Sequence, residues 1–280
     1  MSMSTQAGWF EDRIAAAVAP LLPGFAVEAV AEIDSTNTER MRRARAGHTP
    51  PVLLVAERQT AGRGRLGRPW QSAQQSEEKT AASLTFSLGL PLAPRDWSGL
   101  SLAVGVSVAE SLDPSGDAKV ALKWPNDLWV NDRKLAGILI ETAMPHAGRA
   151  DMPAPPRYLV IGIGINIGPR EAEGMRTPPA WLRQWRPDAT APDVLAELAA
   201  PLVRSVQTFE AQGFAPFAER FAARDALRGR EVQLSDGSFG LCEGVAWGGE
   251  LQVRTAEGLQ MISSDEVSVR PRGMAFEGPR

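Results

Sequence analysis

The chain of 280 residues is poor in the residue types that form disulfides and metal sites, with one cysteine and two histidines. Cys242 alone excludes an internal disulfide and a cysteine-built zinc site, and His48 and His146 do not have metal-ligand spacing. No stretch approaches the ~20 apolar residues of a membrane-spanning helix, and the N-terminal segment lacks the basic region of a secretory signal. The sequence therefore predicts a cytoplasmic protein without membrane contact or a metal cage.

An excess of positive charge is also missing. The formal net charge is −3 and the pI is near 5.6, whereas proteins that coat nucleic acid are usually basic. Any site for an anion must therefore be local. The hydrophobic content of 44% supports a substantial core, and the length allows one large domain with or without a small one.

Hydrophobic periodicity predicts alternating strands and helices over the first four fifths of the chain. Strands are predicted over 25–33, 52–56, 82–88, 120–123, 134–142 and 158–167, and helices over 9–21, 35–46, 100–112 and 191–223. The proline- and glycine-rich segment 144–157 predicts an exposed loop in a long hairpin connection. After Leu227, four or five short alternating segments separated by DG, GG and EG predict a small β-barrel.

The run GRGRLGRPW, from Gly62 to Trp70, combines three glycines, three arginines and a tryptophan. Glycine lets backbone N–H groups approach a ligand, and the planar guanidinium groups of Arg63, Arg65 and Arg68 suit phosphate or carboxylate. Trp70 adds a flat face for a purine ring or an arginine. The loop alone is compatible with a surface segment that touches nucleic acid nonspecifically, so the remaining segments decide its interpretation.

Four further polar segments lie at predicted strand ends or in loops: DSTN at 34–37, KWPND at 123–127, RKLAG at 133–137 and GIGIN at 162–166. Each has a structural alternative. The first can cap a helix, the second can form a turn, the third can be a solvated strand end, and the glycines of the fourth can mark a bulge.

Together with GRGRLGRPW, these segments occur in one order that resembles the biotin protein ligase family, also called biotin–[biotin carboxyl carrier protein] ligases. The resemblance begins near Phe25, covers nearly the whole chain and reaches the C-terminal ISSDEVSVR. It implies an α+β fold: a mixed-sheet catalytic domain of the biotin/lipoate ligase, class II synthetase-like type over residues 1–226, followed by a small Src-homology-3-like β-barrel over 227–280.

The resemblance implies that the protein activates biotin with ATP as biotinyl-5′-AMP and transfers it to one lysine of a biotin carboxyl carrier protein. Hydroxyl and amide groups match the neutral ureido ring, and cations neutralise the charge that develops when the biotin carboxylate attacks the α-phosphorus. The implied biotin-binding residues are Ser35, Thr36, Asn37, Gln59, Arg63, Gly64, Arg65, Lys134 and Gly137. Gly162 and Gly164 are expected to keep side chains out of the biotin space.

The implied ATP-binding residues are Arg68, Trp70, Asn126 and Asn166, with Trp70 stacking on adenine and Asn166 bonding to it. Among the implied catalytic residues, Lys134, Arg65 and Lys123 stabilise charge. The acceptor lysine has an ordinary pKa near ~10.4, so a group such as Asp127 is needed to position or deprotonate it. Mg²⁺ is expected to arrive with ATP, since the sequence contains no dedicated metal cage.

The chain departs from the family at Leu66, where many members have another arginine. Only about 30 residues precede DSTN, where some members carry a DNA-binding winged helix, so we expect a ligase without nucleic-acid binding. Family members include homodimers and monomers, and the sequence does not choose between them. The alternatives are a lipoate-type ligase, which lacks the arginine-glycine loop, and a catalytically silent binder of biotin or nucleotide.

Overall fold

The computed structural model describes residues 8–70, 81–143, 156–171, 175, 177–234, 236–263, 270 and 271. The chain forms two compact units, each built from three stretches of sequence. The first unit comprises Met1–Ala93, Leu135–Arg170 and Ala180–Arg204, and the second comprises Pro94–Lys134, Glu171–Pro179 and Ser205–Arg280. The predicted domain boundary between residues 226 and 227 stays a prediction.

The helices and strands follow the predicted order closely. The helices are α1 (Glu11–Val18), α2 (Thr36–Arg45), α3 (Leu100–Leu112), α4 (Ala191–Gln212) and α5 (Ala218–Ala222). The strands are β1 (Ala26–Ile33), β2 (Val52–Gln59), β3 (Ser83–Leu92), β4 (Ala121–Lys123), β5 (Asp127–Val130), β6 (Arg133–Ala143), β7 (Arg157–Asn166), β8 (Glu231–Gln233), β9 (Phe239–Val245), β10 (Leu251–Thr255), β11 (Gly258–Ile262) and β12 (Arg270–Pro271).

In the first unit, five strands form a mixed sheet in the order β1-β2-β3-β7-β6. The pair β1 and β2 is parallel, while β2–β3, β3–β7 and β6–β7 are antiparallel. Strands β3 and β7 are buried almost throughout, and β2 is buried from Val52 to Ala56, which fits the central position of these strands in the sheet. The α+β class with a mixed sheet is therefore confirmed.

One predicted helix is divided in the structure, and one predicted hairpin has its two strands paired. The helix predicted over 191–223 is divided, because Gly213 has a φ of 68° that ends α4 in a left-handed turn. Strands β6 and β7 form the predicted hairpin, with Ala143 opposite Tyr158, but the connecting residues 144–155 lie outside the described residues. Among the helices of the described part of the chain, none has the length and apolar character needed to cross a membrane.

In the second unit, β4 and β5 form a short antiparallel hairpin, and the Trp124–Pro125 peptide in its turn is cis. The C-terminal strands form a second, antiparallel sheet in the order β11-β10-β9-β8-β12. This sheet lies entirely within the segment predicted as a small β-barrel, although residues 264–269 of that segment are outside the described residues. A small, separate β-sheet at the C-terminus is therefore confirmed.

Candidate active site

The first group of candidate residues lies at the N-terminus of α2. Ser35 is the N-cap residue, and its Oγ accepts a bond from Thr38 N at 3.4 Å, so the capping role considered from the sequence is real. Ser35, Thr36 and Asn37 are only 2–3% exposed. Burying polar side chains is costly unless they are bonded, so this cluster must be held by specific partners.

These partners form a chain of hydrogen bonds. The Gln59 Oε1 atom accepts from Thr36 N at 2.7 Å and from Thr36 Oγ1 at 3.1 Å. On β3, Ser87 Oγ lies 2.7 Å from Thr36 Oγ1 and 2.6 Å from Asn37 Oδ1. Asn37 Nδ2 donates to Leu139 O at 3.3 Å. The structure thus brings together three predicted biotin residues: Ser87 joins Thr36 to Asn37, and Thr36 joins them to Gln59.

Sequence reasoning missed Ser87. Its signal is visible, since Ser83, Thr85 and Ser87 alternate with apolar residues on β3 and all three are buried. Hydroxyl groups at every second position of a strand point to one face of the sheet. Such a polar row inside an otherwise apolar strand indicates a site or a buried network.

Two glycines of β7 make room for protein side chains. A methyl group built on Gly162 would lie 2.2 Å from Asn37 Oδ1, and one built on Gly164 would lie 2.4 Å from Trp70 Cε2. Asn37 and Trp70 thus occupy the space directly above these glycines, and the expected role of both glycines toward biotin stays a prediction. Gly137 lies opposite Gly164 in the register of β6 and β7.

The arginine-glycine loop folds back on itself as a compact turn. Gly64 N donates to Arg68 O at 2.7 Å, and Trp70 N donates to Gly62 O at 2.8 Å. Leu66, at the tip, has a left-handed φ of 55° and is 61% exposed. Arg63 of this loop pairs with Glu141: its Nη2 lies 2.8 Å and 2.6 Å from the two carboxylate oxygens.

Trp70 and Asn166, both predicted ATP residues, meet a third residue that the sequence did not single out. Asn166 is buried, and its Nδ2 donates to Ala180 O at 2.9 Å while its Oδ1 accepts from Arg170 Nη1 at 2.5 Å. The Arg170 guanidinium carbon is 5.5 Å from the centre of the Trp70 ring. Desolvation lowers the pKa of Arg170, as expected for a cation in a partly buried aromatic environment.

The second group of candidate residues lies in the second unit, around the β4–β5 hairpin. Lys134 Nζ is 2.7 Å from Asp127 Oδ1, and both side chains are partly buried. Lys123 lies opposite Asp127 in the strand register, and its Nζ is 5.8 Å from the centre of the Trp129 ring. Asn126 occupies the turn between β4 and β5, as one of its two sequence interpretations required. Two lysines and one carboxylate therefore share a small area.

The candidate residues fall into two groups in the structure. The first unit holds Ser35, Thr36, Asn37, Gln59, Arg63, Gly64, Arg65, Arg68, Trp70, Gly137 and Asn166. The second unit holds Lys123, Asn126, Asp127 and Lys134. Strand β6 links the two groups covalently, because it carries both Lys134 and Gly137. Their roles toward biotin and ATP stay predictions.

The remaining candidates for chemistry are the cysteine and clusters of metal-binding side chains. Cys242 is fully buried, and burial raises the pKa of its thiol to about 12, so it is not available as a thiolate nucleophile at neutral pH. No group of three or more His, Cys, Asp or Glu side chains suited to a metal ion occurs among the described residues. The side chains brought together in the site carry guanidinium, ammonium, hydroxyl, amide and carboxylate groups.

Comparison with known proteins gives a consistent result. Residues 30–166 match the model of the biotin/lipoate A/B protein ligase family. The chain is 34% identical over 262 residues to the bifunctional ligase/repressor BirA of Escherichia coli, covering 84% of this chain and 76% of that protein. It is 31% identical to the biotin–[acetyl-CoA-carboxylase] ligase of Paracoccus denitrificans, covering 85% of this chain and 98% of that protein.

Among solved structures, one similar chain is the biotin protein ligase from Aquifex aeolicus in complex with biotin and ATP. The two structures superpose with a TM-score of 0.70 at 29% sequence identity, over 88% of this chain and 98% of the other. The similarity therefore extends over most of both chains.

Proposed function

Because this chain belongs to the biotin/lipoate A/B protein ligase family, we propose that it is an ATP-dependent biotin protein ligase. It joins biotin to ATP as biotinyl-5′-AMP with release of pyrophosphate. It then transfers the biotinyl group to one lysine of a biotin carboxyl carrier protein, the acceptor of biotin–[acetyl-CoA-carboxylase] ligases.

The observation that carries this proposal is the buried polar cluster on α2, β2 and β3. Thr36, Asn37, Gln59 and Ser87 place hydroxyl and amide groups against an apolar sheet, in an arrangement that core packing does not require. Neutral donors and acceptors of this kind suit a ureido ring, which is itself neutral and has fixed hydrogen-bonding positions. The arginine-glycine loop borders the same cluster, and it supplies the positive charge needed when a carboxylate is activated.

In the first step, an oxygen of the biotin carboxylate attacks the α-phosphorus of ATP, a P–O bond forms, and the bond to pyrophosphate breaks. Two anions must approach each other, so cations lower the barrier by neutralising charge as it develops. We assign this role to Arg65 of the loop and to Lys134, while Arg63 binds the biotin carboxylate. Lys123 and Arg68 neutralise the polyphosphate, and Gly64 lets the loop backbone approach it closely.

Trp70 and Asn166 hold the adenine ring in this proposal, Trp70 by stacking and Asn166 through its amide. Asn126 contributes to the nucleotide site from the β4–β5 turn. Mg²⁺ carried by ATP would shield the phosphates.

In the second step, the acceptor lysine amine attacks the acyl carbon, an amide bond forms, and AMP leaves. The amine must first lose a proton. Asp127 is the proposed proton acceptor, and it must exchange its present partner Lys134 for the incoming amine. Lys134 is then free to hold the phosphate oxygen of the departing AMP.

The test is a reaction of the purified protein with biotin, MgATP and a biotin carrier domain, followed by pyrophosphate release and by the mass of the carrier. Biotinylated carrier together with pyrophosphate supports the ligase. Activity with lipoate instead of biotin would identify a lipoate-type ligase, and binding of biotin without pyrophosphate would identify a silent binder.

A further inference from the structure

Glu141, on β6, is the point where the arginine-glycine loop meets the polar cluster. Its carboxylate oxygens lie 2.8 Å and 2.6 Å from Arg63 Nη2. The second of these oxygens also accepts from Asn37 Nδ2 at 3.0 Å. A single carboxylate therefore holds a guanidinium of the loop and an amide of the proposed biotin pocket.

The position of Glu141 along its strand explains this contact. Gly137, Leu139 and Glu141 alternate on β6, so they point to one face of the sheet. Asn37 lies over that face, since it bonds to both Leu139 O and Glu141. The carboxylate thus lies on the same face as Gly137, which we assign to the biotin site.

The ion pair is better shielded from water than a typical surface pair. The Glu141 side chain is 25% exposed and the Arg63 side chain 42%, whereas the pair of Glu32 and Arg58 in the same unit is 51% and 66% exposed. Charges attract more strongly where water is partly excluded, and fully exposed pairs contribute little. Glu141 therefore restrains Arg63, while the Glu32 pair serves as a natural comparison.

We propose that Glu141 is a positioning residue for biotin binding. It holds Arg63 beside the pocket and orients the Asn37 amide before the ligand arrives. Biotin then meets a cation that is already ordered, and its carboxylate takes up the guanidinium N–H groups that Glu141 does not engage. This inference rests on the proposed function, because the ligand carboxylate is that of biotin.

Glu141→Gln tests the carboxylate with little change of shape. The amide oxygen still accepts from Asn37, but the charge that restrains Arg63 is removed. Because the released Arg63 side chain must then be ordered on binding, the Kd for biotin should rise by up to about tenfold, or ~1.4 kcal/mol. The kcat for pyrophosphate release should stay within about twofold at saturating biotin, because Glu141 touches no reacting atom.

The variant Arg63→Ala separates positioning from a general structural effect. Without Arg63, the Glu141 carboxylate faces the pocket uncompensated and repels the carboxylate of biotin. Adding Glu141→Gln to Arg63→Ala should therefore leave the Kd unchanged or lower it, the opposite of its effect in the wild-type chain. Glu32→Gln is the matched control, and its Kd should equal that of the wild type.

Biotin affinity is measured by titration calorimetry, and thermal unfolding establishes that each variant is folded. A tenfold weaker Kd for Glu141→Gln that disappears in the Arg63→Ala background supports the inference. An unchanged Kd for Glu141→Gln, or an equal loss in both backgrounds, overturns it while leaving the ligase proposal intact. Failure of the wild-type chain to bind biotin would overturn both.

Discussion

Gly162→Ala is a sharp test of how the polar cluster is built. The new methyl group would lie 2.2 Å from Asn37 Oδ1 and 2.8 Å from its Cγ, so the Asn37 side chain must retreat by roughly 1 Å to reach an ordinary contact. It has little freedom to do so, because it is buried and bonded to Ser87, Leu139 and Glu141. Losing two of these bonds, together with local overpacking, should lower the free energy of unfolding by about 2–4 kcal/mol.

Urea denaturation measures this loss, and calorimetry measures the accompanying loss of biotin affinity. Gly168→Ala is the matched control at the end of the same segment, since its methyl group would meet Arg183 and Ala82 at ordinary distances of 3.4 Å and 3.5 Å. That variant should be neutral or slightly more stable, because alanine restricts the unfolded chain. Equal stability and equal biotin affinity of the two variants would refute the assigned role of Gly162.

Two further substitutions address the second unit. Lys134→Ala should slow pyrophosphate release by about 10²–10³-fold. It should lower the free energy of unfolding by about 1–3 kcal/mol, because it leaves the partly buried Asp127 carboxylate without its partner. A nearly wild-type rate in a single-turnover assay would contradict its role. Burial raises the pKa of the Asp225 carboxyl above its ordinary 3.8, so the folded state binds this proton more tightly and loses stability as the pH rises through that raised value. Asp225→Asn removes the titrating group, so the free energy of unfolding of this variant should rise relative to that of the wild type between pH 4 and pH 7. An equal difference between the two proteins at both pH values, measured by urea denaturation, would exclude this explanation.

Much of the fold could be predicted because its signals are local. The helix Leu100–Leu112 has its predicted bounds, and β6 and β7 differ from prediction by one residue at each end. Apolar runs of fixed period and a cap such as Ser35 act over a few residues. The long helix predicted after Ala191 was divided at Gly213, since periodicity gives no sign of the left-handed conformation that a glycine adopts.

The partners within the site could not be predicted, because they depend on strand order and register. Ser87 follows Thr36 by 51 positions, and Glu141 follows Arg63 by 78. Antiparallel pairing of β3 with β7, and of β7 with β6, brings these residues to one region of the sheet. A carboxylate such as Glu141 resembles any strand-end acid until that register is known.

Glycines illustrate the same limit, and Gly164 allows a test of it. The resemblance implied that the glycines of the GIGIN strand keep side chains out of the biotin space, and the structure has Asn37 over Gly162 and Trp70 over Gly164. A methyl group on residue 164 would displace the indole, from which it would lie only 2.4 Å away. Because Trp70 is assigned to adenine, Gly164→Ala should raise the KM for ATP by at least tenfold and leave the Kd for biotin within about threefold, a difference of under ~0.7 kcal/mol. Gly162→Ala should raise the Kd for biotin and leave the KM for ATP nearly unchanged. Two substitutions two residues apart on one strand would then affect different substrates. If both variants lost affinity for the same substrate, the assignment of Asn37 and Trp70 to different ligands would be wrong.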